Sequence, residues 1–146
     1  MRQQGFTLLE VLVAMVIVSI GLVGLAGLMM TSAKNNQSAY YRSQASWLGY
    51  DIIDRMRANR TSAQNGDYSI SYQTAPSSGN AMAQLDLSQW KTELQTALPD
   101  GDGQITFPNG VATVQVRWDD SRGLGVSTNA NNAGNSAQTI SIQTQL

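Results

Sequence analysis

The chain has 146 residues, room for one modest domain and a membrane segment, with 9 basic and 10 acidic residues and a net charge of −1. So balanced a chain has no global charge to drive it onto nucleic acid or an anionic membrane surface. It has no His and no Cys, which removes imidazole bases, thiol nucleophiles, the commonest zinc ligands and disulfides. An exported fold of this kind rests on core packing and hydrogen bonds.

Met1-Arg2-Gln3-Gln4-Gly5 is a short polar leader, and Phe6 opens a long apolar stretch. The 20 residues from Val11 to Met30 carry one hydrogen-bonding side chain, Ser19, and three glycines, Gly21, Gly24 and Gly27. Twenty helical residues at about 1.5 Å each reach roughly 30 Å, the thickness of a bilayer's hydrocarbon core. A buried core helix of this length would show a polar face, and none is present. A secretory signal peptide has an apolar region of only about 7–15 residues; its cleavage sites here would be Ala26-Gly27 or Ser32-Ala33. Arg2 before the span and Lys34 after it give a weak charge asymmetry. The short leader places the N-terminus on the cytoplasmic side. Glu10 lies one turn inside the apolar stretch, where a carboxylate costs several kcal/mol unless paired or neutralised. It either snorkels to the interface or meets a cation. No Lys or Arg occurs between Thr7 and Ala33, so that cation has to come from elsewhere, such as another subunit.

Gly5-Phe6-Thr7-Leu8-Leu9-Glu10, followed by an unbroken apolar segment, resembles the processing signal of type IV prepilins and type II secretion pseudopilins. The resemblance implies a cut by prepilin peptidase between Gly5 and Phe6, N-methylation of Phe6, and a mature chain of 146 − 5 = 141 residues. It also implies that Glu10 is the assembly residue, pairing with the freed N-terminal amine of a neighbouring subunit. Residues 1–5 are then a leader and 6–30 a transmembrane and filament-core helix.

Beyond the span the chain turns polar but keeps a helical period. Tyr41, Ala45, Leu48, Ile52 and Met56 form an amphipathic stripe, and Asp51 and Arg55 stand at i,i+4 in the favourable order, worth about 0.3 kcal/mol. The pattern predicts one helix from Phe6 to Asn59, residues 31–60 of which continue into a globular head of residues 61–146. The three glycines at intervals of three offer close helix approach or a place to bend or unwind. Many major pilins carry a helix-bending Pro here; this chain has none before Pro76.

In the head, 61–67 reads as a loop, and Tyr68, Ile70 and Tyr72, alternating with Ser69 and Ser71, as a strand. A turn-rich connection follows over 75–80. Asp86 to Leu98 reads as a helix with Asp86 as N-cap, Leu87, Trp90, Leu94 and Leu98 as its buried face, and Pro99 as its stop. Pro99-Asp-Gly-Asp-Gly103 is a turn; its carboxylates Asp100 and Asp102 are a candidate for calcium but lack the later ligands of a full loop. A strand over 104–107, a hairpin turn at Asn109-Gly110, and a return strand with Ala112, Val114, Val116 and Trp118 on one face come next. Residues 119–138 read as an exposed Gly/Asn/Ser-rich loop, Asp119-Asp120 included. Ile140 and Ile142 mark a last strand. The expected fold class is α+β, a long helix packed against a small antiparallel sheet.

No catalytic constellation, cofactor site or metal site emerges, and Asn59-Arg60-Thr61 matches a glycosylation sequon of low specificity. Within the pilin-like proteins, the stretches 47–60, Leu98 to Gly103 and Val114 to Trp118 resemble PilV-type minor pilins, the pilus modification class. Major pilins usually carry a C-terminal disulfide loop, which a Cys-free chain lacks. The resemblance implies a subunit anchored in the inner membrane with its head in the periplasm, later carried on a surface pilus. Its partners would be prepilin peptidase, other minor pilins, the major pilin and a tip adhesin. The alternatives are a minor pseudopilin of type II secretion and, from another class, an unprocessed single-pass protein with a periplasmic ligand-binding head.

Overall fold

The computed structural model describes residues 7–77, 79, 81–123 and 137–146. Its main feature is α1 (Leu8–Ala58), a single unbroken helix of 51 residues, about 76 Å long at 1.5 Å per residue. The helix starts at Thr7, whose extended backbone and side-chain oxygen receive the Glu10 N–H at 3.4 Å. It ends at Asn59, where the backbone leaves the helical region. It runs straight through the three glycines as continuous α-helix, so in the isolated chain they neither unwind nor interrupt it.

Only the upper part of α1 is buried. Ala45, Leu48, Gly49, Ile52, Ile53 and Met56 are sunk in the core, and Tyr41 packs against its margin. That is the predicted stripe with two additions. Ile53 and Gly49 lie one position on from Ile52 and Leu48, which widens the apolar seam as a helix facing two different surfaces requires. One surface is α3 (Met82–Ala97). The other is a three-stranded antiparallel sheet in the order β1 (Asp102–Thr106), β2 (Val111–Asp119), β3 (Ala137–Gln145). The fold is thus the expected α+β arrangement. In β2, Ala112, Val114, Val116 and Trp118 are all buried, facing Ile105 of β1 and Ile140 and Ile142 of β3 in register.

Several local expectations are corrected. Residues 60–64 form a short helix, α2 (Arg60–Gln64), rather than a loop. No Gly or Pro interrupts it before Gly66, and Ala63 is fully buried. The expected strand at 68–72 is reduced to one antiparallel bridge, Ile70 to Ile105. Its alternation is real, with Tyr68 and Ile70 inside and Ser69 and Ser71 outside. The bridge cannot propagate because Gln73 sits at φ 55 and turns the chain away. The helix expected from Asp86 starts four residues earlier, at Met82, because Met-Ala-Gln-Leu is good helix former and Ala83 is buried. Asp86 therefore does not cap; its carboxylate accepts the Tyr68 hydroxyl at 2.5 Å and stands 3.8 Å from Arg55. Burial, with that carboxylate contact, pushes the Tyr68 phenol up to about 12. β1 begins at Asp102 rather than Gln104, and Asn109-Gly110 closes the hairpin within a 3-10 turn in which Gly110 has φ 76. Asp119 stays within β2, and Ala137 and Gln138 within β3; the residues between 124 and 136 lie outside the described part of the chain.

The expectation that Asp119-Asp120 is an exposed turn is also overturned. Asp119 accepts the Ser121 N–H and hydroxyl, each at 2.9 Å, as a local turn would. Asp120, however, is fully buried and accepts the hydroxyl of Ser38 on α1 at 2.6 Å. The chain leaving β2 folds down against the helix, which carries this carboxylate inward and fastens the sheet to α1 below the apolar seam.

Candidate functional site

The site is a surface rather than a pocket. Every residue of α1 from Leu8 to Asn36 is exposed, including Leu8, Leu9, Leu12, Ile17, Ile20, Val23, Leu28 and Met29. Each large aliphatic side chain is worth about 1.5–3 kcal/mol when removed from water, so a bare rod of them does not persist in solvent. It needs lipid or other helices around it, and by length and composition it is sufficient to cross a bilayer. Its hydroxyls suit that setting. Ser19 donates to the Met15 carbonyl at 2.7 Å and Thr31 to the Gly27 carbonyl at 3.1 Å, so neither presents an unsatisfied donor to hydrocarbon. A Cβ built on Gly21, Gly24 or Gly27 meets nothing within 4 Å; among the described residues these glycines serve no packing.

Glu10 occupies the first turn of α1. The orphan N–H groups there favour a carboxylate, and Thr7-Leu8-Leu9-Glu10 has the spacing of a capping box. No cation among the described residues pairs with Glu10. Gly5 and Phe6, the expected processing residues, lie outside the described residues.

The candidate calcium carboxylates do not converge. Asp100 is exposed in the turn, whereas Asp102 is engaged by Lys91 at 2.5 Å and by the N–H groups of Gln73 at 2.7 Å and Gly103 at 2.8 Å. Arg117 lies 3.6 Å from the same carboxylate and stacks over the Tyr72 ring at 4.5 Å. Among the described residues no three acidic side chains gather as a metal site. Burial works to raise the Asp102 carboxyl, but the bonds from Lys91, Gln73 and Gly103 outweigh it and hold it below the usual carboxylate value. Because the folded value is depressed, the stability it contributes is full above the ordinary aspartate range and is lost as pH falls through the lowered value. Asp102→Asn strands the buried Lys91 cation and should cost about 3–5 kcal/mol, read as a lower urea midpoint at pH 7. The acid limb of the stability curve should also flatten in the variant relative to the parent; an unchanged acid limb would remove this pair from the account.

A family model described as the prokaryotic N-terminal methylation motif matches residues 1–26. The matched motif supports a type IV pilin-like protein. The match covers the leader, the Gly5-Phe6 step, Glu10 and most of the bare apolar helix. The motif belongs to structural rather than enzymatic proteins, and it implies processing by a prepilin peptidase and assembly with other pilins. An anchored N-terminal helix fits the same finding. No curated protein and no solved structure matches the chain.

Sequence reasoning missed two close approaches that position the site's support. A Cβ on Gly49 would lie 2.7 Å from Ile142 Cδ1, and one on Gly103 would lie 2.4 Å from the Trp90 ring. Neither glycine sits in a turn, so only three-dimensional proximity marks them.

Proposed function

We propose that this pilin-like chain is a minor pilin of a type IV pilus. It inserts in the inner membrane with its head in the periplasm, is cut between Gly5 and Phe6, and is N-methylated on Phe6. It then joins other minor pilins and the major pilin through α1, helping to prime or modify the pilus, with a link to a tip adhesin. The observation that carries this reading is the bare apolar half of α1, with a lone carboxylate in its first turn, directly after a Gly-Phe step. A Cys-free head and the stretches that resemble PilV-type minor pilins favour a minor over a major subunit.

Intact-mass and N-terminal peptide spectrometry of the membrane-extracted protein tests the processing. The expected mature chain has 146 − 5 = 141 residues and begins with N-methylated Phe6. A retained Met1, or a start beyond Met30, would refute the proposal and favour a single-pass protein with a ligand-binding head. Deletion then separates filament types. Loss of pili with normal exoprotein release supports the pilus, and the opposite pattern assigns the chain to the pseudopilus of type II secretion.

A further inference from the structure

The upper half of α1 has a second exposed surface, opposite the head. Tyr40, Trp47 and Tyr50 are 58%, 66% and 57% exposed and share the side of the helix turned away from Ala45, Leu48, Ile52 and Met56. That side is uncharged over a long interval. Between Val11 and Tyr50 the only charged residues are Lys34 and Arg42, and both lie on the head side. Arg42 reaches Gln138 of β3 at 3.5 Å, and Lys34 sits about three turns below the buried Ala45. The charges that end the interval are already paired, Asp51 with Arg55 at 2.8 Å and Asp54 with Arg57 at 2.9 Å.

Lipid cannot cover the whole of this side. Val11 to Tyr50 rises about 59 Å, against about 40–45 Å for a bilayer with its headgroups. With Val11 to Met30 in the hydrocarbon, Trp47 stands about 26 Å above its edge, clear of the headgroups, because α1 is continuous there. Water is a poor surrounding for three large aromatic side chains in one row, and Trp and Tyr are the residue types that anchor protein interfaces.

Length and chemistry define the occupant. A subunit that leaves lipid for a filament has to replace hydrocarbon with protein along residues 11–30. Among the described residues, the outward side of 31–50 offers an uncharged surface of the same length, 20 residues or about 30 Å. It continues directly from the bare lower half of the same helix. Subunits anchored in one membrane hold these helices parallel, so one subunit displaced by about 30 Å sets its apolar segment beside the ridge of the next.

We propose that the outward side of α1 around Tyr40, Trp47 and Tyr50 is a docking surface for the apolar N-terminal helix of another pilin-like subunit, displaced about 30 Å toward the head end. The aromatic rings would lie across that helix, and the missing charges would spare it any desolvation cost. This docking rests on the filament role proposed above and extends the assembly surface beyond the matched residues 1–26.

The test uses the full chain in cells that assemble the filament, with p-benzoylphenylalanine in place of Trp47. Cells are irradiated, filaments are sheared, and cross-linked peptides are identified by mass spectrometry. The expected product joins position 47 to the apolar N-terminal helix of a pilin-like subunit, about 20 residues lower in that subunit's own count. A cross-link to lipid, to a globular head or to the same height on another α1 overturns the proposal, as does no cross-link in filaments that contain the chain. Trp47→Lys, at an exposed position, should leave the melting midpoint of the head within about 2 °C and lower the filament-to-membrane ratio of the protein by at least about tenfold; an unchanged ratio overturns the proposal. N-terminal spectrometry of the same samples reads the filament role separately. A methylated Phe6 with no effect at position 47 defeats this docking alone, whereas an intact Met1 defeats the filament role itself.

Discussion

Replacing Glu10 with alanine should leave the chain in the membrane and cut its incorporation into filaments by about thirtyfold or more. The apolar residues that drive insertion are untouched, so the membrane-bound pool keeps its normal size. Assembly is different. In the proposed filament the first turn of α1 would lie among neighbouring helices, and among the described residues no cation pairs with its carboxylate. The proposed partner is the N-terminal amine that cleavage creates on an adjacent subunit. Removing one member of a buried charge pair costs about 2–5 kcal/mol, and 1.4 kcal/mol is a factor of ten. The check is the ratio of the protein in sheared filaments to that in membranes, by quantitative immunoblot. Glu10→Gln, which keeps shape and hydrogen bonding but not charge, should fall nearly as far. Full incorporation of Glu10→Ala would refute the pairing role and leave Glu10 as a helix-terminus residue only.

Trp90→Ala should lower the melting temperature of the head by more than about 12 °C. Trp90 is fully buried between α1, α3 and β1, its indole N–H donates to the Leu48 carbonyl at 2.9 Å, and its ring fills the space that Gly103 leaves open. Tryptophan-to-alanine changes in cores cost about 3–5 kcal/mol through lost transfer energy and the cavity left behind. In a domain of this size each kcal/mol moves the midpoint by about 4–8 °C. Near-UV circular dichroism during heating measures it. Trp90→Phe should recover much of the loss, because it refills most of the volume and gives up one hydrogen bond worth about 0.5–1.5 kcal/mol. A midpoint within a few degrees of the parent would mean that α1 and α3 are not joined through this ring.

The long-range plan was legible because the sequence patterns that carry it are long. The stripe from Tyr41 to Met56, the face of Leu87, Trp90, Leu94 and Leu98, and the alternation of Ala112, Val114, Val116 and Trp118 each repeat a period several times. Periodicity needs no knowledge of neighbours. The errors fell where one contact outweighs local preference. Asp86 has the residue type and spacing of an N-cap, yet the Tyr68 hydroxyl claims it. Asp120 reads as a solvated turn residue, yet Ser38, 82 positions away, takes it inward. Asp102 looks like half of a metal loop until Lys91 and Arg117 reach it. Of the assembly segment, the span and the isolation of Glu10 could be read directly, since both depend on composition along a single helix. The edge position of β3 could not, because a strand's neighbours are set by topology.

The continuity of α1 has a geometric consequence for any filament that contains this chain. One continuous helix joins the segment that would be held by neighbouring helices to the seam that holds the head, and residues 8–36 lie bare along it. Each residue of an α-helix advances about 1.5 Å and turns about 100°. The rod therefore works as an indexing shaft. The number of residues between Glu10 and Ala45 fixes both the height of the head above the membrane end and the compass direction in which β3 faces. Inserting a single alanine between Met30 and Lys34 would leave the head's core and the anchor's composition unchanged, yet it would turn the sheet by more than a quarter revolution and aim its edge at a different neighbour.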